Sequence, residues 1–80
     1  MKKEILAFGI AREIFGSSCI STEMQEGATV ADLRTTLEAQ FPRLRALASY
    51  MIAGDDEYAA LDRKLDSLKE IAIIPPVSGG

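Results

Sequence analysis

The last ten residues read Ile71-Ala72-Ile73-Ile74-Pro75-Pro76-Val77-Ser78-Gly79-Gly80. An apolar, isoleucine-rich run is the pattern of a strand, and it predicts one from Glu70 to Ile74, with Ile71 and Ile73 on one face and Ala72 and Ile74 on the other. Pro75 and Pro76 lack amide hydrogens and hold φ at about −65°, so they end the hydrogen-bonded ladder and send the chain away from the sheet in extended form. Where this closing strand sits among the others decides the fold.

Working outward, Lys3 to Ile10 is a second short apolar run that reads as a strand, with Ile5 and Ala7 on one side and Leu6, Phe8 and Ile10 on the other. Ala11-Arg12-Glu13 follows it, Gly16-Ser17-Ser18 supplies turn chemistry, and Cys19 to Met24 alternates well enough for an antiparallel partner. The two runs predict an N-terminal hairpin with a wide loop. The strongest helix signal begins at Thr29, an N-cap with Asp32 as its capping-box partner, and places Val30, Leu33 and Leu37 on one face. Phe41 extends that stripe and Pro42 ends it. After a Pro42-Arg43-Leu44-Arg45 connection, Tyr50 to Ala53 predicts a strand, Gly54 to Glu57 a turn, and Tyr58 to Ala60 a shorter strand. Leu61 to Leu68 reads as a charged crossing segment. The order strand, strand, helix, strand, short strand, strand belongs to an α+β domain. With the closing strand central and parallel beside the first, it becomes a ubiquitin-like β-grasp: a mixed sheet with one main helix packed across one face. Residues 1–74 form that domain, and 75–80 an extended C-terminal tail.

Composition narrows the function. Eighty residues, 48% apolar and 26% charged, fit one globular domain. A chain this short buries only about 60% of the surface its unfolded form exposes, which leaves little room for an enclosed substrate pocket. There is no histidine, so histidine-based nucleophilic catalysis is excluded. Twelve acidic against nine basic residues, a formal charge of −3, argue against a phosphate-binding surface and hence against nucleic acid. The single cysteine, Cys19, has no internal disulfide partner, and neither a signal peptide nor a long apolar run is visible, so a reduced, cytoplasmic setting away from membranes is expected. One thiol and scattered carboxylates make no metal-ligand set, and no bound cofactor is expected.

The tail carries the chemistry. Six residues can project roughly 20 Å at about 3.3 Å each. Glycine at 79 and 80 removes Cβ atoms, so the backbone can thread a channel too narrow for other residues and deliver an unhindered carboxylate. Such a group becomes electrophilic once its oxygen is made a leaving group, as in an acyl-adenylate formed from ATP, and a thiol or persulfide can then take the acyl carbon. The competing reading is an ordinary frayed terminus. The proline pair and the closing β-grasp strand weigh against it.

With Ile74-Pro75-Pro76-Val77-Ser78-Gly79-Gly80 at the end, Phe8 with Ala11-Arg12-Glu13 near the start, and Asp56-Glu57-Tyr58 in the middle, nearly all of the chain resembles the small subunits of molybdopterin synthase, a family of ubiquitin-like sulfur carriers. The resemblance implies that an ATP-dependent activating enzyme adenylates the Gly80 carboxylate and that a sulfur donor converts it to a thiocarboxylate. The tail, Pro75, Pro76, Val77, Ser78 and Gly79, then inserts into a catalytic large subunit, where sulfur passes to cyclic pyranopterin monophosphate to build the dithiolene of the molybdenum cofactor. On this view the chain is not catalytic alone, and it assembles as a heterotetramer of two small and two large subunits.

Both faces of the first and closing strands are apolar, yet one helix covers one face. Leu6, Phe8, Ile74 and Tyr58 are therefore predicted to form an exposed patch, which in the family docks on the activating enzyme and then on the large subunit. Cys19 is expected to be an inert small hydrophobe, and Arg12 and Glu13 a solvated pair. Two stretches depart from the family pattern: Gly54 stands where asparagine is common, and Asp66-Ser67-Leu68-Lys69 replaces an Asp-Gly-Asp turn. Three other functions compete: the related sulfur carrier of thiamine thiazole synthesis, which shares the fold and the Gly-Gly end but typically lacks the double proline, a protein modifier joined to lysines through Gly80, and a plain β-grasp interaction module with an inert tail.

Overall fold

A computed structural model describes residues 1–47, 49–55 and 57–76. Five strands, β1 (Lys2–Ala7), β2 (Cys19–Glu23), β3 (Met51–Gly54), β4 (Glu57–Tyr58) and β5 (Ile71–Ile74), form one mixed sheet in the order β2-β1-β5-β3-β4. The closing strand is central. It runs parallel to β1, with Ile5 beside Ile71 and Ala7 beside Ile73, and antiparallel to β3. Ile5, Ala7, Ile71, Ile73 and Ile52 are all buried on the face that meets the main helix, whose Val30, Leu33 and Leu37 are fully enclosed.

That helix, α2 (Val30–Gln40), starts as expected. Thr29 Oγ1 accepts from the Asp32 amide at 3.3 Å, and the Thr29 amide donates to the Asp32 carboxylate at 3.0 Å, closing the capping box. The amides of Val30 and Ala31 donate to the carbonyls of Arg63 and Leu61, each at 2.9 Å. The charged crossing segment thus takes up helix-start donors that otherwise lack partners. It also carries Leu65 and Leu68, both in the core.

Two further stretches differ from the sequence reading. The first strand ends at Ala7 rather than Ile10, because Gly9 turns the backbone to φ +55°, and Ile10–Phe15 forms a short helix, α1, inside the predicted loop. Ala11 and Phe15, four residues apart, bury on one side of it, and the Phe15 ring packs on Phe41 at 4.7 Å between centroids. Pro42–Ala46 coils into a 3₁₀ turn that delivers Leu44 to the core.

The two departures from the family pattern touch each other. A Cβ at Gly54 would lie 2.6 and 2.8 Å from the Leu68 methyls, so the leucine fills the space that the glycine leaves. Beyond it Asp55, at φ +52°, accepts the amides of Lys69 and Glu70 at 3.0 and 2.9 Å and fastens the β3–β4 turn to the entry of β5. At the far end of β3, Tyr50 donates a hydrogen bond to the Glu38 carboxylate, which also receives Arg34 at 3.2 Å. These bonds hold Glu38 below the usual carboxylate range, the tyrosine bond most of all. Burial, and then the bond to Glu38, pushes the Tyr50 phenol up to about 12.

Gly54→Ala is expected to destabilise the fold by about 1–3 kcal/mol through overpacking against Leu68. Combining it with Leu68→Ala should cost less than the two single changes added, measured by denaturant unfolding as a double-mutant cycle. Tyr50→Phe is expected to cost about 1–3 kcal/mol at neutral pH. Because the folded phenol titrates above its ordinary value of 10.0, the stability it adds is complete below that value and disappears as the pH rises toward about 12. The gap between wild type and Tyr50→Phe, in urea melts across this range, should close from neutral to alkaline pH.

Candidate functional site

Strand register assembles the exposed face row by row. Leu6 lies beside Cys19 and Ala72, Ala72 beside Ala53, and Ala53 beside Tyr58, so one transverse row of weakly polar and apolar side chains crosses all five strands. A second row, nearer the end of β5, pairs Ile74 with Met51, and Phe8 follows just past β1. These positions alternate with the buried Ile5, Ala7, Ile71 and Ile73 and therefore point away from α2. Tyr58 is 64% exposed, Phe8 49% and Met51 45%, whereas Leu6, Ala53, Ala72 and Ile74 are half-buried by their neighbours.

Between Phe8 and Tyr58 the face sinks into an open groove of about 450 Å³, lined also by Leu6, Ala53, Ala72 and Ile74. Its remaining lining is acidic: Asp55, Glu57 and Glu70. All four sequence-predicted patch residues, Leu6, Phe8, Tyr58 and Ile74, line this one concavity. An apolar groove with an acidic border can accept an apolar protrusion from another macromolecule.

Ile74 closes the groove, and the chain leaves the sheet immediately beyond it. Pro75 does not depart freely. A Cβ on Gly9 would sit 3.1 Å from Pro75 Cγ, so the proline ring rests against bare glycine backbone whose φ of 55° and ψ of −132° suit glycine alone. Pro75 and Pro76 are both half-buried. The other predicted tail residues, Val77, Ser78, Gly79 and Gly80, lie outside the described residues.

Other candidates are placed apart from the groove's chemistry. Cys19 sits at the β2 end of the transverse row, its thiol 3.9 Å from a Glu4 oxygen. Arg12 and Glu13 are exposed on α1. A polar concavity of about 480 Å³ lies near the start of α2, where Asp32 is already engaged in the capping box. Among the described residues no three His, Cys, Asp or Glu side chains are grouped to hold a metal ion, and no helix is long and apolar enough to cross a membrane.

Sequence reasoning did not single out Met51, Gly9 or the acidic lining. Met51 could have been found from strand alternation, since it shares a face with Ala53. Gly9 carried no signal, because its contact with Pro75 joins residues far apart in the chain.

Comparison with known proteins covers the whole chain. The ThiS family model matches residues 5–80. The molybdopterin synthase sulfur carrier subunit of Arabidopsis thaliana is 33% identical over 78 residues, covering 96% of this chain and 81% of that one. The Chlamydomonas reinhardtii protein of the same description is 34% identical, with 100% of both chains covered. Among solved structures, SAMP1 from Haloferax volcanii superposes with a TM-score of 0.82 at 28% identity, covering 100% of each chain.

Phe8→Ala removes a side chain that is about half in water, 49% exposed, and is expected to lower stability by far less than Ile73→Ala, a change at a fully buried position. The latter should cost about 2–5 kcal/mol. Thermal melting of the two variants checks the ranking, and a larger loss for Phe8→Ala would make it a core residue.

Proposed function

The chain belongs to the ThiS family, and from that premise we propose that it is the sulfur-carrying small subunit of a molybdopterin synthase. The observation that carries this reading is the placement of the apolar groove at the root of the tail: Ile74 ends the groove, and Pro75, seated on Gly9, begins the segment that leads to Gly80. A surface that docks and an acyl end that reacts are thereby joined within a few residues.

In the proposed cycle the Gly80 carboxylate attacks the α-phosphorus of ATP within an activating enzyme, releasing pyrophosphate and forming an acyl-adenylate. Sulfide-level sulfur from the donor displaces AMP at the acyl carbon and leaves a thiocarboxylate. Within the large subunit that sulfur bonds to a carbon of cyclic pyranopterin monophosphate as the C–O bond at that carbon breaks and its oxygen group departs, and water then hydrolyses the resulting thioester, restoring the carboxylate and leaving the sulfur on the pterin. Sulfur is the more polarizable and nucleophilic end of the thiocarboxylate. None of these steps asks a side chain of this chain to move a proton, consistent with a sequence that has no histidine. Its part is to dock through Leu6, Phe8, Tyr58 and Ile74 and to reach through residues 75–80. These steps belong to the cytoplasm, and the transfer to the pterin to an assembly of two small and two large subunits.

A modifier role uses the same activated carboxylate, and the likeness to SAMP1, a small archaeal modifier protein, is the observation that favours it as a second reading. Intact-mass measurement after incubation with ATP, a sulfur donor and an activating enzyme separates the two. The expected product is the chain with one oxygen replaced by sulfur, competent to form molybdopterin when mixed with the large subunit and cyclic pyranopterin monophosphate. Lysine-linked adducts with other proteins would instead establish the modifier, and an unchanged mass the inert module. Deleting Gly80 is expected to abolish sulfur loading and leave the melting temperature unchanged, because a chain-terminal residue adds little packing; sulfur transfer by the shortened chain would overturn the mechanism.

A further inference from the structure

The exposed face of the sheet is divided along its strands. Two residues along a strand span about 6.6 Å. Glu4 precedes Leu6 by two, Glu70 precedes Ala72 by two, and Asp55 follows Ala53 by two on an antiparallel strand. Continuing the register therefore lines up Glu4, Glu70 and Asp55 in a row next to the apolar one, on the side away from Ile74 and the tail. The 3.0 Å hydrogen bond from the Asp55 amide to the Glu70 carbonyl confirms that two of them are neighbours. Glu57, which lines the groove together with Asp55 and Glu70, brings the acidic group to four, with Glu4 just outside the lining.

Among the described residues none of the four is held in a close ion pair. Ion pairs among the described residues join the N-terminus to Glu23 and Arg34 to Glu38, and none involves Glu4, Asp55, Glu57 or Glu70. Like charges side by side on a sheet disfavour the folded chain, so this row works against stability while the face is open to water. Covering the groove makes matters worse unless the covering surface supplies positive charge, since a carboxylate stripped of water and left unpaired is strongly disfavoured.

We propose that the surface seated in this groove is an apolar lobe of the large subunit flanked on one side by lysine or arginine side chains, which meet Glu4, Glu57 and Glu70 on the side away from the tail. This inference rests on the function proposed above. Apolar contact alone would admit the lobe in either sense. The acidic row admits one, with the cations far from the tail and the apolar end beside it, and long-range attraction between the two charge sets speeds the encounter. Asp55 takes part less directly, because one of its carboxylate oxygens already accepts the amides of Lys69 and Glu70.

The test is stopped-flow association of the full chain with its large subunit. Raising ionic strength from about 0.01 M to about 0.15 M shortens the Debye length from about 30 Å to about 8 Å, and the association rate should fall about tenfold. The triple variant Glu4→Gln, Glu57→Gln, Glu70→Gln should associate slowly at low salt, lose most of the salt dependence, and melt at or above the wild-type temperature. A charge-matched control, Glu26→Gln, Asp62→Asn, Asp66→Asn, changes exposed acids outside the groove lining and should keep most of the wild-type rate and salt dependence. Glu70→Gln alone should move in the same direction as the triple variant by a smaller factor, which covers a triple variant that fails to fold. Tight but salt-independent binding, or a control that slows as much as the triple variant, overturns the charge-matched partner and leaves the sulfur-carrier function standing. A wild-type chain that does not bind the large subunit at any ionic strength overturns both.

Discussion

The parallel pairing of β1 with β5 is the constraint on which the molecule depends. It sets the first and last strands of the chain side by side at the middle of the sheet, where Ile5, Ala7, Ile71 and Ile73 lose nearly all contact with water beneath α2. A parallel pair cannot be joined by a tight turn, so all that lies between must travel around it. The helix, the outer strands and the crossing segment are the route. Because Leu6, Ala72 and Ile74 make the tail-ward part of both strands apolar on the second face as well, the same pairing that closes the core opens the groove on the other side.

Much of this was legible because it is local or periodic. The Thr29 and Asp32 capping box, the Val30, Leu33, Leu37 stripe and the alternation of Ile71 to Ile74 each signal an element within a few residues, and each stands in the structure where the pattern put it. The β-grasp arrangement followed from their order. What was not legible arises from contacts distant in sequence. Leu61 to Leu68 looks like a solvated connection until its carbonyls meet the amides at the start of α2. Residues 10–15 make a helix of six residues, too short to announce itself by periodicity, and its stability comes from Phe15 meeting Phe41 across the fold.

The groove was partly foreseen for the same reason. Leu6, Phe8, Tyr58 and Ile74 could be assigned to an uncovered face by counting helices against apolar strand faces, but their gathering into a single concavity needs the strand order and register. The acidic row depends on register still more, because Glu4, Asp55 and Glu70 are scattered in sequence and become adjacent when β1, β5 and β3 align. The Gly54 and Leu68 contact belongs to the same class: two departures that look independent along the chain form one packing solution in space.

On the function proposed above, the seat of Pro75 on Gly9 bears on how often Gly80 would meet its target. A tether is only as long as its free part. With the proline ring held against the body of the domain, a molecule docked as proposed would have only the residues after Pro75 with which to span the remaining distance. Confinement of that kind converts a second encounter into an internal event, at local concentrations of roughly millimolar. A micromolar carrier would then face the reaction chamber as if it were many times more abundant.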